Sequence, residues 1–164
     1  MNAGLCRKLI GVMLVTVLSA CDGAAQVEPS SELALTTQLL KDIPIVQISL
    51  QEVVDTYVLG GNRTDLQRDV MSAKLVGSTV SWRFKVYDIA KEDGRYRVTS
   101  ELMDGSQAGS FGKFGVVAFI ASRNENDVEV LLNLQSGHTV EILGRVDGVF
   151  ARAALVLSPA ELVR

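Results

Sequence analysis

The chain holds little of what most site chemistry requires. Its 164 residues include two cysteines, Cys6 and Cys21, and one histidine, His138. Beyond residue 21 no thiol is left for a disulfide, a nucleophile or a thiolate-bound metal, and a zinc site or a His-based triad lacks parts. Aromatics are scarce, with one Trp, three Tyr and five Phe, and acidic residues outnumber basic ones by 19 to 16. Phosphate neutralisation supplies most of the affinity of a nucleic-acid binder, which therefore shows a basic face; an acidic, aromatic-poor chain counts against one. No paired carboxylates stand at a spacing that suits acid–base work. The expectation is a protein without enzymatic activity, metal or cofactor.

There is one long hydrophobic run, Leu9 to Leu18, preceded by Arg7 and Lys8 and closed by Leu18-Ser19-Ala20-Cys21. It is short of the about 20 apolar residues that span a bilayer. The segment resembles the signal peptide of a bacterial lipoprotein, in which the last four residues form the lipobox and Cys21 becomes the lipidated first residue. That resemblance implies a diacylglyceryl thioether on Cys21 and an amide-linked chain such as palmitate, and two chains meet the requirement for stable anchoring. It places the chain on the cell envelope, facing the periplasm. Asp22 directly after the cysteine resembles an inner-membrane retention signal and weakly favours that membrane over the outer one. Removal of residues 1–20 leaves 144 residues with 14 basic against 19 acidic side chains, a formal charge of −5, enough chain for one domain with a real core.

Residues 21–44 read as lipidated cysteine and tether, since Asp22 to Glu32 is small, polar and turn-prone; a weak helical turn or two follows around Leu33 to Lys41 and ends by Pro44. Residues 45–164 read as a helical lead-in and one domain. Ser49 and Glu52 form a capping box for a helix carrying Leu50, Val53, Val54, Tyr57 and Val58, which Gly60-Gly61 ends. Thr64 and Gln67 form a second, with Leu66, Val70, Ala73 and Leu75 expected inward and Arg63, Asp65, Arg68, Asp69 and Lys74 toward water. Asn62-Arg63-Thr64 matches a glycosylation acceptor, by chance in a bacterial lipoprotein.

From Gly77 the period becomes two. Val80, Trp82, Phe84 and Val86 alternate with polar residues, then the phase slips so that Tyr87 and Ile89 are the next inner candidates, which a bulge near Val86-Tyr87 would absorb. A two-residue turn at Asp93-Gly94 sets Ile89 opposite Val98, Phe84 opposite Leu102 and Lys85 opposite Glu101. A Gly/Ser loop, 105–115, carries Phe111, Lys113 and Phe114. Val116 to Ala121 reads as a central strand. Val128 to Leu134 reads as a short helix capped by Asn126 or Asp127 and closed by Gly137, or equally as an alternating strand. A second hairpin is expected around Asp147-Gly148, pairing Ile142 with Ala153 and Val140 with Leu155, with Pro159 ending the run and 160–164 a tail.

Strand, strand, strand, short helix, strand, strand is the order of the OB-fold, a mainly β, five-stranded barrel with a helix between strands three and four, here preceded by two N-terminal helices. The chain resembles a family of tRNA-anticodon-like OB-fold domains found often in bacterial lipoproteins. The residues carrying this are Leu75 to Trp82, Val86 to Ile89, Val117 to Ile120, Leu131 to Leu134, Gly137, Val140, Gly144 to Val146 and Leu155 to Leu157. The resemblance covers most of 45–160 and rests on glycines and apolar positions, so it implies fold more than ligand.

OB barrels bind on the face of strands two and three, which here offers Arg97, Thr99 and Glu101, with Lys91, Arg95, Phe150 and Arg152 near the rim. Phe111 and Phe114 either fold back onto the barrel or form an exposed apolar tip. Trp82 reads as core, Lys85 and Glu101 as a cross-strand pair, and His138 as a hydrogen-bonding or capping residue. The expected function is non-catalytic binding of a protein or envelope component by a membrane-anchored lipoprotein. One variant is an immunity or inhibitor lipoprotein acting on a periplasmic toxin or hydrolase. An oligosaccharide-binding or single-stranded nucleic-acid-binding barrel is the other class, with nucleic acid the less favoured ligand.

Overall fold

The computed structural model describes residues Gln38, Leu40 and 42–163. The signal segment, Cys21 and the tether Asp22 to Glu32 lie outside the described residues. Of the turn expected over 33–41, Gln38 and Leu40 are helical; the rest lies outside them.

Two helices with described bounds precede the barrel. In α1, Leu50–Tyr57, the Ser49 side chain accepts from the Glu52 N–H at 3.1 Å. In α2, Asp65–Leu75, both arms of the Thr64–Gln67 capping box are formed, satisfying two donors that a helix start leaves open. Val58, in extended conformation, caps α1 rather than the glycines expected there. Val53, Val54, Tyr57 and Val58 enter the core. Only Leu75 of α2 is buried; Leu66 is 72% exposed, Val70 49% and Ala73 also faces water, against expectation. Arg68 reverses the expectation too. Its side chain is 12% exposed, donating from Nε to Thr56 O at 3.0 Å and pairing with Asp65 at 2.8 Å.

The strands are β1 Thr79–Glu92, β2 Arg95–Ser100, β3 Gly115–Ile120, β4 Thr139–Phe150 and β5 Ala154–Leu162, closed into a barrel in the order β1-β2-β3-β5-β4. Helix α3, Glu125–Asn133, lies between β3 and β4. This is the OB-fold. All neighbours are antiparallel except β3 and β5.

The fourteen-residue β1 serves both halves of the barrel, its first half pairing with β4 and its second with β2. The joint is a bulge between Val86 and Asp88, after which Ile89 stands opposite Val98 and the chain turns at Asp93-Gly94. Both turn residues have positive φ, 49° and 77°, the geometry a two-residue hairpin demands and Asp-Gly tolerates. Tyr87 is the bulged residue and is 66% exposed, not inward. Lys85 O accepts from Glu101 N at 2.8 Å, the expected register. The two side chains form no ion pair among the described residues, and Leu102 is 63% exposed while Phe84 is buried against β4 opposite Val140.

Val128 to Asn133 is helical, with Leu134 the extended C-cap, and Asn124, not Asn126 or Asp127, is the N-cap: its side chain accepts from the Asp127 N–H at 2.9 Å. The second hairpin also differs. Asp147-Gly148 lies within β4, and the turn falls at Ala151 to Ala153, so Ile142 pairs with Leu162 and Val149 with Leu155. The later turn makes the difference, since the two register shifts, between Gly144 and Val146 and between Val146 and Gly148, offset each other. Strand β5 continues through Pro159 to Leu162, where a tail was expected.

The core is continuous. Trp82, Phe84, Tyr96, Phe114, Ile142, Leu155 and Leu157 pack with the α1 valines, Leu75 and Leu131 in one cluster. Full burial of each large apolar side chain stabilises by about 1.5–3 kcal/mol before entropy is counted. Trp82 is 4% exposed and its Nε1 donates to Ile48 O at 2.8 Å, so the indole is core with its one donor satisfied.

Candidate binding face

Alternation along β2 turns Tyr96, Val98 and Ser100 inward and leaves Arg95, Arg97 and Thr99 half-buried on the outer face. The ladder sets Arg97 opposite Ala90 of β1 and Phe119 of β3, and Thr99 opposite Asp88 and Val117. Val117 and Phe119 are half-buried, while Val116, Ala118 and Ile120 of the same strand are buried. The outer face is therefore an apolar strip on β3 beside an arginine row on β2 and a carboxylate row on β1.

The Arg97 charge is already answered within the face. Arg97 donates from Nε to Glu92 Oε1 at 2.7 Å and from a terminal nitrogen to Thr99 Oγ1 at 3.1 Å, with Asp88 Oδ2 3.6 Å away. The Arg95 guanidinium lies 5.4 Å from the centre of the Phe119 ring, and Lys91 Nζ lies 5.9 Å from that of Tyr96, both within cation–π range. Pairing holds elsewhere as well: Arg83 meets Glu141 at 2.6 Å, Lys113 meets Asp104 at 2.7 Å, and Arg123 bridges Asp127 at 3.1 Å and Glu161 at 3.2 Å. Hydrogen bonds from Arg83 and Ser81 hold the Glu141 carboxyl below its ordinary range.

The expected site residues separate into groups. Arg95, Arg97 and Thr99 share the face and Lys91 stands at its hairpin end, while Glu101 follows the last residue of β2 and is half-buried. Arg152 pairs with Asp65 of α2 at 3.2 Å, and Phe150 beside it is 72% exposed. The glycine-rich loop joins α1 instead: Asp55 accepts from Ser106 N and Oγ at 2.6 and 2.5 Å, and Phe111 N donates to Leu59 O at 2.7 Å. Its two aromatics part company. Phe111 is 64% exposed, whereas Phe114 is fully buried and so is removed from the candidate binding residues. His138 Nδ1 accepts from the Gln135 N–H at 3.2 Å, a local turn contact. Among the described residues no group of three or more His, Cys, Asp or Glu side chains could hold a metal, and no helix is long and apolar enough to cross a membrane.

Phe119 and Val117 were not among the candidates read from sequence. The near-continuous apolar run Val116 to Ala121 conceals its alternation, although the parity of β2 carries across the ladder: once Arg97 faces out, its partner must as well.

No protein-family model matches the chain, and no curated protein does. Solved structures do. A lipoprotein of Klebsiella pneumoniae, named as a candidate nucleic acid-binding protein, is 20% identical over 77% of this chain and 97% of its own, with a TM-score of 0.44. The asparaginyl-tRNA synthetase of Pyrococcus horikoshii is 16% identical over 73% of this chain and 22% of its own, at 0.38. A chain of a replication protein A heterotrimer bound to single-stranded DNA is 11% identical over 74% of this chain and 82% of its own, also at 0.38. Likenesses this distant bear on no ligand and no partner.

Proposed function

We propose that this chain is a lipoprotein, anchored to the periplasmic side of the cell envelope through Cys21, whose barrel binds a protein or envelope component through the β2–β3 face without catalysing a reaction. The observation that carries the reading is the state of Arg97, held by Glu92 at 2.7 Å beside the half-buried Phe119 and Val117. A groove that tracks a phosphate backbone needs uncommitted cations and aromatics free to stack. This face offers an arginine already neutralised by its own sheet and an aromatic covered by Arg95. Fixed charges around an apolar strip suit a protein surface, where arginine and aromatic side chains anchor contacts. An immunity or inhibitor role against a periplasmic hydrolase is one form of that function.

The test is site-specific photocrosslinking from Thr99 of the mature lipidated protein in intact envelopes, read by mass spectrometry. One dominant protein adduct, lost in Phe119→Ala and Arg97→Glu, is the expected result. Retention on purified glycan, or salt-sensitive retention on single-stranded DNA, with no protein adduct would overturn it. The anchor is checked separately: Cys21→Ser should release the protein from membranes and remove the acyl mass from its N-terminal peptide.

A further inference from the structure

The stripe Leu66, Val70, Ala73 sits at helical spacing on α2, yet it faces away from the barrel. An amphipathic helix normally turns such a stripe toward a core, and among the described residues nothing packs against this face. Beside it runs a trough of about 300 Å³ between α1 and α2, lined by Glu52 and Thr56 of α1 and by Leu66, Val70 and Met71 of α2, with Arg63 and Lys74 among its walls. Neither of those cations forms an ion pair among the described residues, in contrast to Arg68, Arg83, Arg97 and Arg123, although the Arg63 charge also acts on Asp55. Two cations against the single carboxylate of Glu52 make the trough locally positive on a chain whose formal charge is −3.

We propose that this trough is a second interaction surface, a docking site for an acidic amphipathic helix of a partner protein. Three features select that occupant. The surface is concave and about as long as α2, which at 1.5 Å per residue is roughly 16 Å, so it accepts a helical ridge better than a flat bilayer. Its floor presents apolar side chains about one turn apart, the anchor spacing of helix-in-groove recognition. Its charge calls for carboxylates on the occupant's flanks. A second copy packed antiparallel on the same stripe is disfavoured by the same pattern. Two-fold symmetry of that kind sets like flank against like flank with the ends exchanged, so Arg63 would meet Lys74 of the copy and Asp65 the acidic flank that carries Asp69.

The mature full-length protein is titrated with two synthetic helical peptides that share a Leu/Ala stripe, one flanked by Glu and the other by Lys, and followed by amide and methyl NMR. The acidic peptide is expected to shift Leu66, Val70, Met71, Arg63 and Lys74 and to bind at least tenfold more tightly than the basic one. Leu66→Glu and Lys74→Glu should each weaken it at least tenfold with an unchanged melting temperature, since both side chains are exposed. Equal binding of both peptides, or none at millimolar concentration, overturns the proposal. So does transfer of the same shifts to vesicles of anionic phospholipid, or to a protein-concentration series that reports self-association. The β2–β3 face is untouched by these variants, so the two surfaces fail or stand separately.

Discussion

The ring of Phe114 lies on that of Tyr57, centroids 5.6 Å apart and planes 15° from parallel. This contact joins the glycine-rich loop to α1 and closes one side of the core. Tyr57 is buried, which with the nearby Asp69 charge raises its phenol pKa despite a hydrogen bond with Ser72.

Phe114→Ala should therefore cost about 3–5 kcal/mol, the usual range for emptying a buried aromatic site. Phe111→Ala, three residues away and 64% exposed, should stay within about 0.5 kcal/mol. Urea denaturation of the two variants checks the pair, and comparable losses would contradict the burial seen here.

Ser100 is buried within β2, and its Oγ accepts from the Val116 N–H at 2.8 Å while donating to Glu101 O at 2.8 Å. Ser100→Ala leaves the Val116 donor without a partner inside the barrel. A loss of about 1–3 kcal/mol is expected, together with faster hydrogen exchange at Val116.

Gly144 is tightly enclosed where β4 crosses β5. A Cβ there would stand 3.0 Å from Leu157 Cβ and 3.1 Å from Ala160 Cβ, and those atoms belong to the sheet rather than to flexible side-chain ends. Gly144→Ala should destabilise by about 1–3 kcal/mol through overpacking, whereas Gly148→Ala, with nothing within 4 Å, should show no such clash. Melting temperatures of the two variants make the comparison.

Asp55 controls the loop electrostatically. Burial pushes its carboxyl upward, but hydrogen bonds from Ser106 and Gln51 and the Arg63 charge outweigh this, and its pKa lies below the ordinary 3.8. A carboxyl depressed in the folded state adds stability that is complete above its unfolded pKa and is lost as pH falls through the folded one. Loop protection, read from exchange at the Ser106 amide, should thus be constant at neutral pH and decline only below about pH 4. In Asp55→Asn that acid-dependent decline should vanish, with protection already weak at pH 7.

The first hairpin was legible because Asp93-Gly94 names its own turn type and the apolar phase slip at Tyr87 announces a bulge. The second was misread for a physical reason. Asp147-Gly148 carries the same turn signal, but the chain turns at Ala151 and Arg152, with φ of 47° and 58°, a conformation neither residue type favours. The helix capped by Thr64 was readable and its facing was not, since periodicity marks an apolar stripe without saying what lies against it. On the candidate face, Arg97 and Thr99 followed from alternation, while Phe119 was hidden in a run with apolar residues on both faces. The pairing of Arg97 with Glu92 across the Asp93-Gly94 turn was not drawn out, though the hairpin register brings them to the same face.

The first half of β1 finds its partner late. Val80 pairs with Gly144, 64 residues further along the chain, and β5 must then slot in parallel beside β3. Loop closure over such separations is slow, whereas the β1–β2 hairpin needs only its own two-residue turn. While the chain is being made, Val80, Trp82 and Phe84 wait as an apolar edge until β4 has emerged to pair with them, and such an edge recruits other chains. A truncation anywhere within β5 would leave the facing edges of β3 and β4 unpaired and should turn a folding protein into an aggregating one.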